Sequence, residues 1–381
     1  MTYIWHLITS EFPPDVCGVG DQSLLLAREL ATHGDEVHVY TRKTEAQPPS
    51  IERVHVNQVF RDYGRSDLRQ LGELLDRHPA PRRVLVQWVP HGYGFRSLNL
   101  HIARWLFRRG AAGDMIEVIV HEPGLGWRGG GTTHAIAALV HRLMLWLAFR
   151  NARRGWVTIP AWKSRVRPYA RKGLEIGWLP ATSPVPVTND PKRVRELRGK
   201  FAPRSMLIGI FGRRPTADRH FQRSIVEVLS RRNDVNVVVI GSGSREAAID
   251  LLALDPRFEG RIHATGTLAP EEVSLVIQAC DVMLQLYPDG VSARRTSLIS
   301  SLAHGVPIVT NEGAHSEDIW RESGGVALAP DGDVEAVVRR VDDFLGDEAK
   351  RRSFGDRALA LFEAEFQLSH AVQRLRSGTK R

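Results

Sequence analysis

The stretch Tyr287–Gly313, YPDGVSARRTSLISSLAHGVPIVTNEG, decides how the chain is read. An apolar run ends at Leu286, and Pro288, Asp289 and Gly290 then make a turn. Ser292, Arg294, Arg295, Thr296 and Ser297 follow at a helix start. The helix is expected over Thr296–His304, and Gly305-Val306-Pro307 opens the next strand, Val306–Thr310. This is one strand–helix–strand unit of a parallel sheet. Hydroxyls, two guanidiniums and a helix N-terminus converge where an open α/β sheet binds its ligands, and together they suit an anion. An ordinary capped helix with solvated arginines carries the same letters, so the block alone leaves both readings open.

Working outward, the same alternation of short apolar runs and longer amphipathic ones continues in both directions. Upstream it gives strands at Met206–Phe211, Val235–Ile240, Arg261–Ala264 and Asp281–Leu286, with helices near Phe221–Arg231, Arg245–Leu254 and Pro270–Ala279. Downstream, Asp333 to Arg376 reads as wholly helical, and Asp331-Gly332-Asp333 before it reads as a turn and cap, not a metal motif. PATSPVPVTNDP, Pro180–Pro191, has no periodic apolar pattern and reads as an interdomain linker. A second alternating series precedes it. Strands are expected at Tyr3–Thr9, Val37–Thr41, Val54–Val59, Arg83–Trp88, Ile116–Val120 and Trp156–Ile159. Asp21 is placed as the N-cap of the first helix, and the longest helix spans about Thr133–Ala152. The fold class is therefore α/β, two Rossmann-like domains. The boundaries are 1–183 and 184–360, with a C-terminal helix over 361–381 that crosses back to the first domain.

Three further stretches place chemistry at strand ends. CGVGD, Cys17–Asp21, puts Gly18 and Gly20 between the first strand and first helix, where backbone N–H groups can approach an anion. It lacks the spacing of a dinucleotide fingerprint, and a plain tight turn also explains it. VIVHEPGLGW, Val118–Trp127, sets His121 and Glu122 at a strand end, and QWVPHGYGF, Gln87–Phe95, adds His91 and Tyr93. Such a mixture suits a carbohydrate acceptor, and it also suits loop packing. GIFGRRPTADRH, Gly209–His220, gives Gly212 for a tight turn, with Arg213, Arg214 and Arg219 as cations able to grip a pyrophosphate.

Composition bounds the rest. The 381 residues suit two domains, and 43% hydrophobic with 25% charged residues is the balance of a folded protein. The net charge of +9, mostly arginine, suits phosphate or an anionic surface, though solvated arginine gives the same number. Cys17 and Cys280 imply neither a disulfide framework nor a zinc site. Met1–Phe12 lacks the features of a signal peptide, and no apolar run is long enough to span a bilayer, so a cytoplasmic location is expected. The segment His141–Trp156 reads as a core helix. Peripheral contact at the inner membrane face is the alternative if basic residues cluster beside it.

The two-domain layout, the GVGD loop, the strand-end His121 and above all DGVSARRTSLISSLAHGVPIVT resemble retaining GT-B glycosyltransferases of the large family 4. The resemblance implies two Rossmann-like domains facing across a cleft, with a nucleotide-diphosphate sugar as co-substrate and no cofactor or metal. It implies donor binding by Gly18, Gly20, Gly212, Arg213, Arg219, Ser292, Arg294, Arg295, Thr296 and Ser297, and catalytic roles for His121, Arg213 and Asp289. His91, Tyr93 and Glu122 are the expected contacts of a sugar, lipid-linked or small-molecule hydroxyl acceptor, and no nucleic acid is expected as partner. Ser292 and Ser300 stand where the family carries two glutamates, so either the nucleotide ribose is read more loosely or backbone groups of the loop Asp289–Ser292 read it instead. A sugar-nucleotide epimerase or hydrolase of the same fold, or a non-catalytic partner of another transferase, are the competing functions. An acid-poor cleft disfavours the first, and only the missing glutamates suggest the second.

Overall fold

The computed structural model describes residues 2–15, 17–126, 130–212 and 218–377. The chain divides into two compact units, Met1–Pro180 with Leu368–Arg381, and Ala181–Gln367.

The first unit is a seven-stranded sheet of β1 (Ile4–Ile8), β2 (Glu36–Arg42), β3 (Val54–Phe60), β4 (Arg83–Trp88), β5 (Met115–Val120), β6 (Arg154–Val157) and β7 (Glu175–Trp178). Its order is β3-β2-β1-β4-β5-β6-β7, and every pairing is parallel. Successive side chains of a strand point to opposite faces, and both faces are buried. Ile8, Tyr40, Val84 and Val86 pack against the helices Arg65–Leu75 and Leu100–Ala111. Leu7, Val37, Val39 and Leu85 pack against Gly18–Thr32 and against Ala371, Val372 and Leu375 of the C-terminal helix Leu368–Ser377.

The second unit is a six-stranded sheet of β8 (Met206–Phe211), β9 (Val235–Ile240), β10 (Ile262–Ala264), β11 (Val282–Gln285), β12 (Ile308–Asn311) and β13 (Ala327–Ala329). It is ordered β10-β9-β8-β11-β12-β13 and is also parallel throughout. Helices start where aspartates accept backbone N–H groups: Asp190 before Pro191–Phe201, Asp218 before Arg219–Arg231 and Asp333 before Val334–Leu345.

Several expectations are corrected. The first helix begins at Gly18, not beyond Asp21, because the Asp21 N–H already bonds the Cys17 carbonyl at 2.8 Å. The tail is three helices and a π-turn, interrupted at Asp347, which caps the middle helix Glu348–Leu361, and at the extended Gln367. The helix Pro191–Phe201 rises directly from the linker, since Asp190-Pro191 is a cap and first helical residue. Thr132–Arg150 is not simply a core helix. It buries Ala138, His141, Met144, Leu145, Ala148 and Phe149, yet exposes Ile136, Leu139, Leu143 and Trp146. By length and composition it is the one helix among the described residues apolar enough to cross a membrane.

Candidate active site

In both sheets the strand order turns back at the first strand, so the loops leaving β1 and β4, and those leaving β8 and β11, run apart. A crevice at the C-terminal ends of these strands follows from that topology, and ligands of such sheets bind there. The described residues singled out in the sequence lie at or beside these two places, one in each unit.

In the second unit, the loop after β11 is folded back onto the loop after β12. Gly290 has φ +82°, and a Cβ there would stand 2.2 Å from the Gly313 nitrogen, so the two backbones touch only because both residues are glycine. The His315 N–H bonds the Asp289 carbonyl at 3.0 Å. This contact presents the Asp289 carboxylate to three cationic or titratable groups. Arg294 and Arg295 each donate to one of its oxygens, and His315 Nδ1 lies 2.7 Å away. Asp289 therefore holds the two arginines in place, and the arginines expected to be open to phosphate are partly neutralised. Arg295 also stacks over the Tyr287 ring at 4.6 Å. Burial pushes the Tyr287 phenol up to about 12, so it stays neutral and hydrogen-bonds Ser297 at 3.0 Å.

Ser292 is fully buried, and among the described residues its hydroxyl and the Arg295 Nε have no hydrogen-bond partner. Thr296 opens the helix Thr296–Ala303. Ser300 faces inward. It is fully buried, donates to the Thr296 carbonyl at 2.9 Å and lies 3.1 Å from the Ser183 hydroxyl. It offers nothing to a ribose. Glu317 was not anticipated. Its carboxylate accepts the Ala293 N–H at 3.0 Å and the Trp320 indole N–H at 2.6 Å, clamping the backbone between Ser292 and Arg294. Burial pushes its pKa up. The only signal for it in the sequence is an acid three residues before a tryptophan in a glycine-containing loop.

Across this crevice stands the loop after β8. Gly212 bonds the Ile240 carbonyl at 3.3 Å, and Asp218 caps the helix whose first residue is the exposed Arg219. A small recess between His220, Tyr287, Pro288 and Asp331 joins the two loops. Arg213 and Arg214 lie outside the described residues.

In the first unit, His121 follows β5 directly. Its Nε2 lies 2.6 Å from the Gln87 side-chain oxygen, while among the described residues the Gln87 amide nitrogen has no partner. His91 meets Ser97 at 2.7 Å and Glu122 at 3.6 Å. Tyr93 is removed from the acceptor set. It is fully buried, and its hydroxyl donates to the Gln87 carbonyl, so it packs the strand end and has no surface to offer. Gly20 lies against the loop after β1, where a Cβ would meet the Glu11 carbonyl at 3.2 Å, whereas Gly18 faces open space. Gly18 is thus the one of the pair that a ligand can approach.

Burial holds the His121 imidazole at about 4, below its ordinary 6.5. The unfolded chain takes up this proton as pH falls through about 6.5, the folded chain only near 4. The stability from keeping His121 neutral is full above pH 6.5 and is lost towards pH 4, by at most about 3 kcal/mol. His121→Gln is expected to flatten the decline of the unfolding temperature across that window. Parallel curves for the two proteins would remove His121 from it.

Residues 220–360 match the family described as glycosyl transferases group 1. No curated protein matches the chain. Among solved structures it is similar to sucrose-phosphate synthase from Thermosynechococcus elongatus, with 15% identity, TM-score 0.72 and 98% of each chain covered. It is similar to WaaG, a glycosyltransferase involved in lipopolysaccharide biosynthesis, with 14% identity and TM-score 0.69 over 97% of this chain and 98% of that one. HepE of Anabaena in complex with UDP gives 14% identity and TM-score 0.70 over 99% of each. The chain has the GT-B fold, two Rossmann-like units in tandem, and its second unit carries the group 1 glycosyl transferase match.

Proposed function

We propose that the chain moves a sugar from a nucleotide-diphosphate sugar to a hydroxyl acceptor, with retention of configuration and without a catalytic metal or other cofactor. The match of residues 220–360 to group 1 glycosyl transferases carries this reading. The crevice of the second unit supports it, since a hydroxyl-bearing helix start with two arginines follows β11 on one side and Arg219 opens the helix after β8 on the other. Cleaving an anomeric C–O bond leaves negative charge on the departing pyrophosphate, and fixed cations and helix N–H groups stabilise it without reorganising. Arg213, Arg219 and the helix start at Thr296 take that part. Asp289 orders Arg294 and Arg295 behind them. His121 serves beside the donor sugar, with Gly18 at the phosphates, and His91 and Glu122 receive the acceptor.

HepE has been solved with UDP-glucose, which makes uridine-diphosphate sugars the first donors to test. The exposed stripe Ile136, Leu139, Leu143 and Trp146 supports a lipid-linked acceptor reached from the cytoplasmic side of a membrane. Trp146 stacks on Phe107, and the exposed Arg104 and Arg108 share Phe107's helix.

The test is turnover of labelled sugar nucleotides with and without acceptors, in solution and on anionic vesicles. A transferase consumes donor only with an acceptor. An epimerase or hydrolase consumes it alone, and a binding partner not at all, and either outcome ends the proposal. In the same assay Arg213→Ala is expected to weaken donor binding by about 1.5–3 kcal/mol, the loss of a charge-assisted bond. With Ser300 turned inward, the 2′-deoxy form of UDP is expected to compete within about tenfold of UDP, about 1.4 kcal/mol.

A further inference from the structure

The N-terminal half of the first sheet carries a histidine ladder that sugar transfer does not use. His6 of β1, His38 of β2 and His55 of β3 are register partners on three adjacent parallel strands. Their rings stack at 5.5 Å and 4.9 Å, each pair tilted by 24°. His78 stands over the ladder, 4.4 Å from the His38 ring and 4.8 Å from that of His6. Parallel strands covered on both faces are ordinarily runs of valine, isoleucine and leucine, so imidazoles in one rung call for a reason. Glu36, two residues before His38, supplies a carboxylate. Its Oε1 lies 2.7 Å from His38 Nε2 and 3.6 Å from His55 Nε2.

We propose that Glu36, His38 and His55 bind a divalent transition-metal ion of zinc's class. All three ligand atoms lie within 4.8 Å of one another. A tetrahedral zinc site with bonds of about 2.0–2.1 Å sets its ligand atoms roughly 3.3 Å apart. The two distances to Glu36 bracket that value, so small rotations of exposed side chains suffice. Two imidazoles and a carboxylate suit zinc and its neighbours and do not suit magnesium. His38 is largely buried, whereas Glu36 is 42% and His55 55% exposed, so an ion enters from solvent. Since β3 is the edge strand of its sheet, the ion ties that edge to β2, away from the strand ends where the sugar-transfer residues lie.

The experiment uses the full chain without a polyhistidine tag, stripped with a chelator and titrated with Zn²⁺ by calorimetry in a non-coordinating buffer. One equivalent is expected to bind, with a rise in unfolding temperature, and Mg²⁺ is expected to do neither. His55→Gln, at an exposed position that leaves the fold intact, is expected to bind Zn²⁺ at least tenfold more weakly and to lose the thermal shift. Undiminished binding by His55→Gln, or no saturable binding by the parent, overturns the proposal.

Discussion

Asp289→Ala is expected to lower sugar transfer by roughly 100-fold, the scale of an ångström's misplacement of charged groups, and to destabilise the second unit. The carboxylate is about three-quarters buried, as are Arg294 and Arg295. Removing it takes the nearest counter-charge from two desolvated guanidiniums, leaving Glu317 as the remaining carboxylate acting on Arg294, and deletes the side-chain contact of His315, whose main-chain bond to the residue-289 carbonyl remains. Breaking a fully buried pair costs about 3–5 kcal/mol, and partial exposure here brings the expectation to about 2–3 kcal/mol. Asp289→Asn keeps the shape and one acceptor oxygen but not the charge, so it should fall between parent and alanine in both readouts. Because Asp289 acts through the arginines, KM for the donor should rise together with the fall in kcat. An alanine variant with parental stability and unchanged donor KM would show that the carboxylate orders nothing, and would return it to a direct chemical role.

The parallel α/β character was legible because buried parallel strands are long apolar runs. Met206–Phe211 and Val235–Ile240 were placed to the residue, where every position but the ends of the first is fully buried. The strands missed, β7 and β13, are four and three residues long and sit at sheet edges, too short for periodicity to register. At the site, the block after Leu286 declared its position because hydroxyls and arginines rarely crowd a helix start without cause. Its internal wiring did not show. Whether Arg294 faces a phosphate or Asp289 depends on the touching backbones of Gly290 and Gly313, a contact between loops separated by a helix and a strand. The same holds for Tyr93, whose aromatic ring and hydroxyl read equally as acceptor contact or strand-end packing until its burial is known. The histidine ladder was invisible for a related reason, since no local spacing links His6, His38 and His55 until the strands are in register.

Arg154→Met is expected to destabilise the first unit by about 3–5 kcal/mol. That is a large share of the roughly 5–15 kcal/mol that holds a domain folded. Arg154 and Glu117 are 6% and 7% exposed and meet at 2.9 Å, and the second Glu117 oxygen accepts the Trp156 indole N–H at 2.9 Å. Methionine keeps most of the volume, so the cost comes from charge. The Glu117 carboxyl loses its nearest cation in the core and keeps the Trp156 bond and the more distant Arg83, whose attraction keeps the expectation from running higher. Arg154 has a second task. Its guanidinium donates to the Leu375 carbonyl at 2.6 Å and the Arg374 carbonyl at 3.3 Å, in the last turn of the helix Leu368–Ser377, where carbonyls run out of main-chain N–H partners. The variant should therefore loosen the C-terminal helix, which limited proteolysis would read as earlier loss of the tail. Adding Glu117→Gln removes the stranded charge and should recover much of the stability without restoring the bonds to the tail. Denaturant unfolding of the single and double variants separates the two contributions. If the double variant is no more stable than Arg154→Met, the cost lies in the helix carbonyls. If Arg154→Met alone unfolds at the parental midpoint, the buried pair contributes nothing.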